Sequence, residues 1–125
     1  MINFALLGAG RIGKMHAKHI KENSNCKLIS VFDINKDNSN EVAELNDAKV
    51  ALSAEEAIQD KNVNAVFIAS STPTHINYII KSAELGKSII CEKPIDLDIN
   101  KVNECYEKIK TLEVPIQIGF NRRFD

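Results

Sequence analysis

The tightest constraint on the fold is a change of periodicity near the start of the chain. Ile2-Asn3-Phe4-Ala5-Leu6-Leu7 is an apolar run suited to a buried strand, and Gly8-Ala9-Gly10-Arg11-Ile12-Gly13 follows at once. Lys14-Met15-His16-Ala17-Lys18-His19-Ile20 then continues as a helix. A strand, a turn with glycine at its first, third and sixth positions, and a helix leave little freedom of geometry. Gly8 permits the tight turn, Gly10 lets the backbone approach phosphates, and Gly13 lets the helix lie close to the strand. Free N–H groups and the positive dipole end at the helix N-terminus favour an anion there, as a dinucleotide pyrophosphate would be. Any tight strand–helix turn can carry such glycines, so the rest of the chain decides.

That remainder alternates apolar runs with helical patterns. Cys26-Lys27-Leu28-Ile29-Ser30-Val31-Phe32-Asp33 reads as a second strand ending in an acid. Asn38 through Leu45 reads as a helix that Asn38 can cap, with Glu41 three residues on. Lys49-Val50-Ala51-Leu52 is a short third strand, and Ser53-Ala54-Glu55-Glu56 is a capping box for a brief helix to Gln59. Ala65-Val66-Phe67-Ile68-Ala69 has the continuous apolarity of a strand covered on both faces. Thr72-Pro73 reads as an N-cap with proline at the first helical position, opening a helix with Ile76, Ile79, Ile80 and Ala83 on one face and Gly86 at its end. Ser88-Ile89-Ile90-Cys91 is a fifth strand. Asp98 starts a helix with Ile99, Val102, Tyr106 and Ile109 at helical spacing, and Pro115-Ile116-Gln117-Ile118-Gly119 is a sixth strand. The expectation is an α/β fold: a Rossmann-type, doubly wound parallel sheet of about six strands over residues 1–119, with the first and fourth strands flanking the ligand crevice.

Composition narrows the function. The 125 residues suit one domain, and 44% hydrophobic content supports a core. Sixteen basic against seventeen acidic residues, spread without blocks, give neither a nucleic-acid footprint nor a membrane-surface patch. No apolar run approaches the roughly 20 residues of a bilayer span, and no signal-peptide pattern opens the chain. Cys26, Cys91 and Cys105 lack close metal-type spacing and read as reduced thiols of a cytoplasmic protein.

Asp33 stands 20 residues after Gly13 at a strand end. A carboxylate there accepts hydrogen bonds from the adenosine ribose hydroxyls and repels a 2′-phosphate, which favours NAD over NADP. Alone it also reads as a turn cap; in register with the glycine turn, the cofactor reading leads. Lys36 is a nearby cation that could soften the discrimination. Ser70, Ser71, Thr72, Pro73 and His75 leave the fourth strand on the same edge, where hydroxyls and backbone groups can contact the ribose or the nicotinamide side. A histidine in a first helical turn is ordinarily exposed and idle. His16 and His19 read as packed or surface residues, since no carboxylate or cysteine joins them at a ligand spacing. Cys91-Glu92-Lys93-Pro94 leaves the fifth strand, again at the carboxyl edge. Lys93, held between a strand end and a proline, can bond a substrate hydroxyl, stabilise the developing alkoxide and help move its proton.

Together, Gly8-Ala9-Gly10-Arg11-Ile12-Gly13-Lys14-Met15-His16-Ala17, Ser71-Thr72-Pro73-Thr74-His75 and Glu92-Lys93-Pro94 resemble the Gfo/Idh/MocA oxidoreductase family. Cys91-Glu92-Lys93-Pro94-Ile95-Asp96-Leu97 and Gly119-Phe120-Asn121-Arg122-Arg123-Phe124-Asp125 are most similar to its inositol 2-dehydrogenase branch. The resemblance implies NAD(P)-dependent oxidation of a polyol or sugar hydroxyl to a ketone. It puts Lys93 at the family's catalytic lysine position, and Gly8, Ala9, Gly10, Arg11, Ile12, Gly13 and Asp33 at or within its cofactor positions, with Ser70 to His75 and Glu92 nearby. Residues 120–125 match the start of the connection to a second, substrate domain, which in the family supplies an aspartate and a histidine, the histidine acting as base. That domain is absent from these residues, so the expectation is cofactor binding with little activity alone. A stand-alone nucleotide-binding or redox-sensing module, or one half of a split dehydrogenase with a complementing chain, are the competing readings, and self-association stays open.

Overall fold

A computed structural model describes residues 1–119; the expected connection at 120–125 lies outside the described residues. Six parallel strands form one sheet in the order β3-β2-β1-β4-β5-β6. In chain order the elements are β1 (Ile2–Leu7), α1 (Arg11–Glu22), β2 (Cys26–Phe32), α2 (Lys36–Asn46), β3 (Lys49–Val50), α3 (Ala54–Gln59), β4 (Ala65–Ile68), a 3₁₀ turn (Thr72–Thr74), α4 (His75–Glu84), β5 (Ser88–Glu92), α5 (Ile99–Ile109) and β6 (Ile116–Gly119). The order reverses between β1 and β4, which pair over Phe4–Leu7 and Ala65–Ile68. This is the switch point at which doubly wound sheets open a crevice beyond the carboxyl ends of their strands.

The period of two along each strand divides the core. Phe4, Leu6, Ala65 and Phe67 point to the side where α1 and α2 bring Ala17, Ile20, Val42 and Ala43. Ala5, Leu7, Val66 and Ile68 point to the side where α3, α4 and α5 bring Ile58, Ile79, Ala83 and Cys105. All four residues of β4 are buried, as a central strand covered on both faces requires.

Several local expectations are corrected. Asn35, not Asn38, caps α2: its side chain accepts from the N–H groups of Asp37 and Asn38, so the helix starts at Lys36. β3 stops at Val50 because the Leu52 N–H is given to the Glu56 carboxylate (2.7 Å), while Ser53 Oγ accepts from Glu56 N (3.0 Å). Thr72 and Pro73 lie in the 3₁₀ turn rather than opening α4, and Thr74, which precedes α4, makes no side-chain cap bond to it. Asp98 does cap α5, through Asn100 N. That helix, however, centres its inner face on Cys105, flanked by half-buried Val102 and Ile109, and leaves Ile99 and Tyr106 exposed.

Candidate functional site

The glycine turn owes its shape to two contacts that admit no side chain. Gly8 has a φ of +100°, and a Cβ there would meet the Ala69 carbonyl and Ser70 N at 2.5 Å. A Cβ on Gly13 would stand 2.0 Å from Gly8 O, so α1 lies directly on the end of β1. Gly10 differs: a Cβ there would find nothing within 4 Å. Among the described residues no packing demand requires glycine at this point, and its absence of a side chain leaves the backbone open to a ligand. Gly10 also precedes α1 without a side-chain cap, and the first turn carries no acidic residue. The N-terminal amides of α1 are therefore not served by a cap or an acid of their own first turn, an arrangement suited to an anion.

Asp33 closes the turn from the β2 side. One carboxylate oxygen accepts from Ala9 N at 2.6 Å and the other from Asn35 N at 2.7 Å. The carboxylate thus ties the glycine turn to the entry of α2 and keeps lone pairs for donors outside the protein. Beside it lies a cavity of about 350 Å³. Gly8 and Gly10 form its floor, Asp33 and exposed Ile34 one side, and Ser70, Ser71, Thr74 and Tyr78 the other. Lys14 Nζ pairs with Glu41 at 2.9 Å and tethers α1 to α2. The Tyr78 hydroxyl is pushed above its ordinary pKa, first by burial and then by the charge of Glu55, and stays protonated at neutral pH. Ile34, Tyr78 and the Asp33 carboxylate thus give one cavity both apolar and charged lining.

At the same sheet edge, Lys93 follows β5 and is exposed. Glu92, just before it, meets His16 of α1, with Nε2 and Oε1 2.5 Å apart. The His16 ring also packs on Phe67 of β4, ring centres 4.3 Å apart. Spacing along the chain offers His16 no acidic partner; the parallel sheet supplies one 76 residues later. Arg11 and Ile12 are exposed on the first turn of α1, and Pro73 is exposed beside half-buried Thr72.

His75 corrects the expectation most sharply. It is 1% exposed, not idle in solvent. Its Nδ1 lies 2.8 Å from Pro94 O and its Nε2 2.9 Å from Ser70 O. Of the expected site residues, Gly8, Gly10, Asp33, Ser70 and Ser71 line the cavity; Ala9, Arg11, Ile12, Gly13, Thr72, Pro73 and His75 do not, and Glu92 and Lys93 stand at the end of β5. Thr74 belongs to the expected Ser70 to His75 stretch, whereas Ile34 and Tyr78 were not foreseen. Ile34 had a signal, being an exposed apolar residue directly after the acid; Tyr78 reads only as one more residue of α4. Among the described residues no group of three or more histidine, cysteine or acidic side chains is placed to hold a metal ion, and no helix is long and apolar enough to cross a membrane.

Residues 2–120 match the family described as an oxidoreductase family with an NAD-binding Rossmann fold, Gfo/Idh/MocA. The chain belongs to that family. It is 41% identical over 125 residues to an inositol 2-dehydrogenase of Rhizobium meliloti, covering 99% of this chain and 37% of that one. It is 40% identical to a scyllo-inositol 2-dehydrogenase (NAD(+)) of Bacillus subtilis, again covering 99% and 37%. Among solved structures, a myo-inositol dehydrogenase of Corynebacterium glutamicum superposes with a TM-score of 0.93 at 39% identity, over all of this chain and 38% of that one. A scyllo-inositol dehydrogenase of Lactobacillus casei, solved with NAD(H) and scyllo-inositol, gives 0.93 at 30% identity and the same coverage. The chain therefore spans somewhat over a third of the length of these relatives.

Proposed function

We propose that the chain is the NAD(H)-binding part of a dehydrogenase that oxidises a secondary hydroxyl of an inositol-like polyol, with NAD preferred to NADP. The observation that carries this reading is the Asp33 carboxylate bound to Ala9 N, at the mouth of a cavity floored by Gly8 and Gly10. Such a carboxylate accepts from both ribose hydroxyls and opposes a 2′-phosphate. Gly10 to Gly13 hold the pyrophosphate, with Arg11 and Ile12 beside it; Ser70 to Thr74 line the opposite wall and Ile34 and Tyr78 flank the adenine. The nicotinamide, when bound, supplies the hydride acceptor. Lys93 bonds the substrate hydroxyl and stabilises the oxygen as its proton leaves, and Glu92 holds the strand end through His16. An exposed lysine needs a wall over it to act in this way, and hydride transfer also needs the hydroxyl carbon fixed and a base for its proton. Those elements belong with the part of the relatives that this chain does not span. Three free thiols support a cytoplasmic setting.

Calorimetric titration of the purified chain with NADH, NADPH and ADP tests the reading. Binding of NADH with NADPH at least tenfold weaker is expected, and no inositol-dependent NADH formation by the chain alone. Absence of NADH binding, or equal affinity for NADPH, would overturn it.

A further inference from the structure

His75 is the buried titratable group that the reading above leaves without a task. It opens α4 directly behind the loop that walls the cavity, and its ring spans two backbone carbonyls from different crossover connections. Ser70 follows β4, lines the cavity and has its hydroxyl 2.7 Å from Thr74 Oγ1. Pro94 follows β5 and is bonded through its peptide to Lys93. Neither carbonyl belongs to a strand, and each meets the ring in a partly buried hydrogen bond, where an acceptor left without its donor is costly. A rigid ring with nitrogen atoms on opposite edges reaches both at once; since both partners are acceptors, it donates to both with a proton on each nitrogen, as the imidazolium. A glutamine amide, with its two N–H bonds on one atom, can serve one end only.

We infer that His75 is a positioning residue for Lys93: by holding Ser70 O and Pro94 O on opposite edges of one ring, it fixes the cofactor loop and the lysine as a unit. This rests on the cofactor reading for the cavity. It adds that the lysine's position is set through α4 as well as by β5. A filler of α4 would be replaceable by any side chain of similar volume. A clamp between two connections is not replaceable by a group that reaches only one of them. The link also runs in both directions. A cofactor that orders Ser70 and Thr74 orders Pro94 and Lys93 with them, before any substrate arrives.

Reductive ¹³C-methylation of the lysines, with the Lys93 signal identified from Lys93→Arg, reads this directly by NMR. In the unaltered chain, saturating NAD⁺ moves the signals of Ala9 N–H, Ser70 N–H and Lys93. In His75→Gln the ligand-free Lys93 signal moves to the position of an unrestrained lysine while remote Lys21 and Lys110 stay. NAD⁺ then moves Ala9 but no longer Lys93, and affinity falls about tenfold. A folded His75→Gln whose Lys93 signal and NAD⁺ response match the parent would overturn the inference. Should that variant fail to fold, the unaltered chain decides. Slowly exchanging His75 ring N–H protons with cross-peaks to Ser70 and Pro94 support the clamp, and ring protons exchanging at the solvent rate refute it. If the unaltered chain does not bind NAD⁺, the cofactor reading fails by itself, and the ligand-free Lys93 signals of parent and variant still judge the clamp.

Discussion

The glycine turn offers a test in which two neighbouring substitutions of the same kind must do different things. In Gly13→Ala the new methyl would lie 2.0 Å from Gly8 O and 2.8 Å from Gly8 C. Both are backbone atoms at the end of a central strand and cannot swing aside. Ordinary contact begins near 3.4 Å, so α1 must lift off the sheet or the turn must open. Alanine in place of helical glycine returns about 1 kcal/mol of helix propensity. Overpacking against backbone takes the upper end of its usual range, about 3 kcal/mol. The net loss is about 2 kcal/mol, or roughly 8–10 °C in Tm for a domain of this size. Gly10→Ala meets nothing within 4 Å, and the backbone there has a φ of −76°, which any residue adopts. Its stability should stay within about 0.5 kcal/mol of the parent. On the proposed cofactor reading its methyl occupies the space through which the phosphates reach the turn, and NADH affinity should fall at least tenfold, about 1.4 kcal/mol. Thermal denaturation and NADH titration of both variants provide the check. A Gly13→Ala chain as stable as its parent would refute the packing argument. A Gly10→Ala chain that binds NADH normally would refute the phosphate cradle.

Three further outcomes are expected. Asp33→Ala strips the charged acceptor from Ala9 N and Asn35 N, bonds of the class worth about 1.5–3 kcal/mol each when buried. Part of that loss is recovered by solvent, and the NADH-to-NADPH affinity ratio should drop towards one; an unchanged ratio in paired titrations would remove Asp33 from its role. Lys93→Met, at an exposed position, should leave Tm and NADH affinity nearly as they are. It should cost roughly 10²–10⁴ in kcat in a full-length enzyme carrying this domain, and retention of turnover would exclude the lysine from proton handling. Burial, with smaller contributions from Glu92 and Cys105, pushes the Cys91 thiol from 9.0 up to about 12. Below pH 9 both folded and unfolded chains hold that proton; between pH 9 and 12 the unfolded thiol gives it up while the folded one keeps it. Stability therefore falls as pH rises through this window, by up to about 1.4 kcal/mol per unit. Urea unfolding of the parent and Cys91→Ala from pH 8 to 11 should show the steeper decline in the parent, and parallel slopes would contradict the shift.

What was legible in the sequence divides along physical lines. The sheet and its switch point followed from apolar runs of strand length alternating with helical periods, because burial on both faces of β1 and β4 leaves a continuous local mark. The glycine turn and Asp33 were legible for the same reason: a φ of +100° at Gly8 and a helix resting on a carbonyl at Gly13 are demands of adjacent residues. Boundaries failed where one side chain redirected one amide. Asn35 outcompeted Asn38 as the cap of α2, and Glu56 took the Leu52 N–H from β3. Nothing in the spacing of either stretch ranks those rivals.

His16 and His75 mark the other boundary of legibility. Each was read from its own helix, His75 as exposed and His16 as a packed or surface residue with no partner at a ligand spacing. His16 is occupied by Glu92, 76 residues away, and His75 by carbonyls 5 and 19 residues to either side. These partners exist only after parallel pairing brings the carboxyl ends of β4 and β5 together beside α1. A backbone carbonyl, moreover, has no residue type, so no motif can announce it as a partner. The two histidines therefore carry information that the glycine turn and the Glu92-Lys93-Pro94 element do not. On the proposed reading the motifs supply the atoms that meet a cofactor and a substrate, whereas His16 and His75 join the segments that bear those atoms. If that division holds, substitutions in the motifs change affinity and turnover directly, and substitutions at the histidines change how binding at one segment is felt at the other.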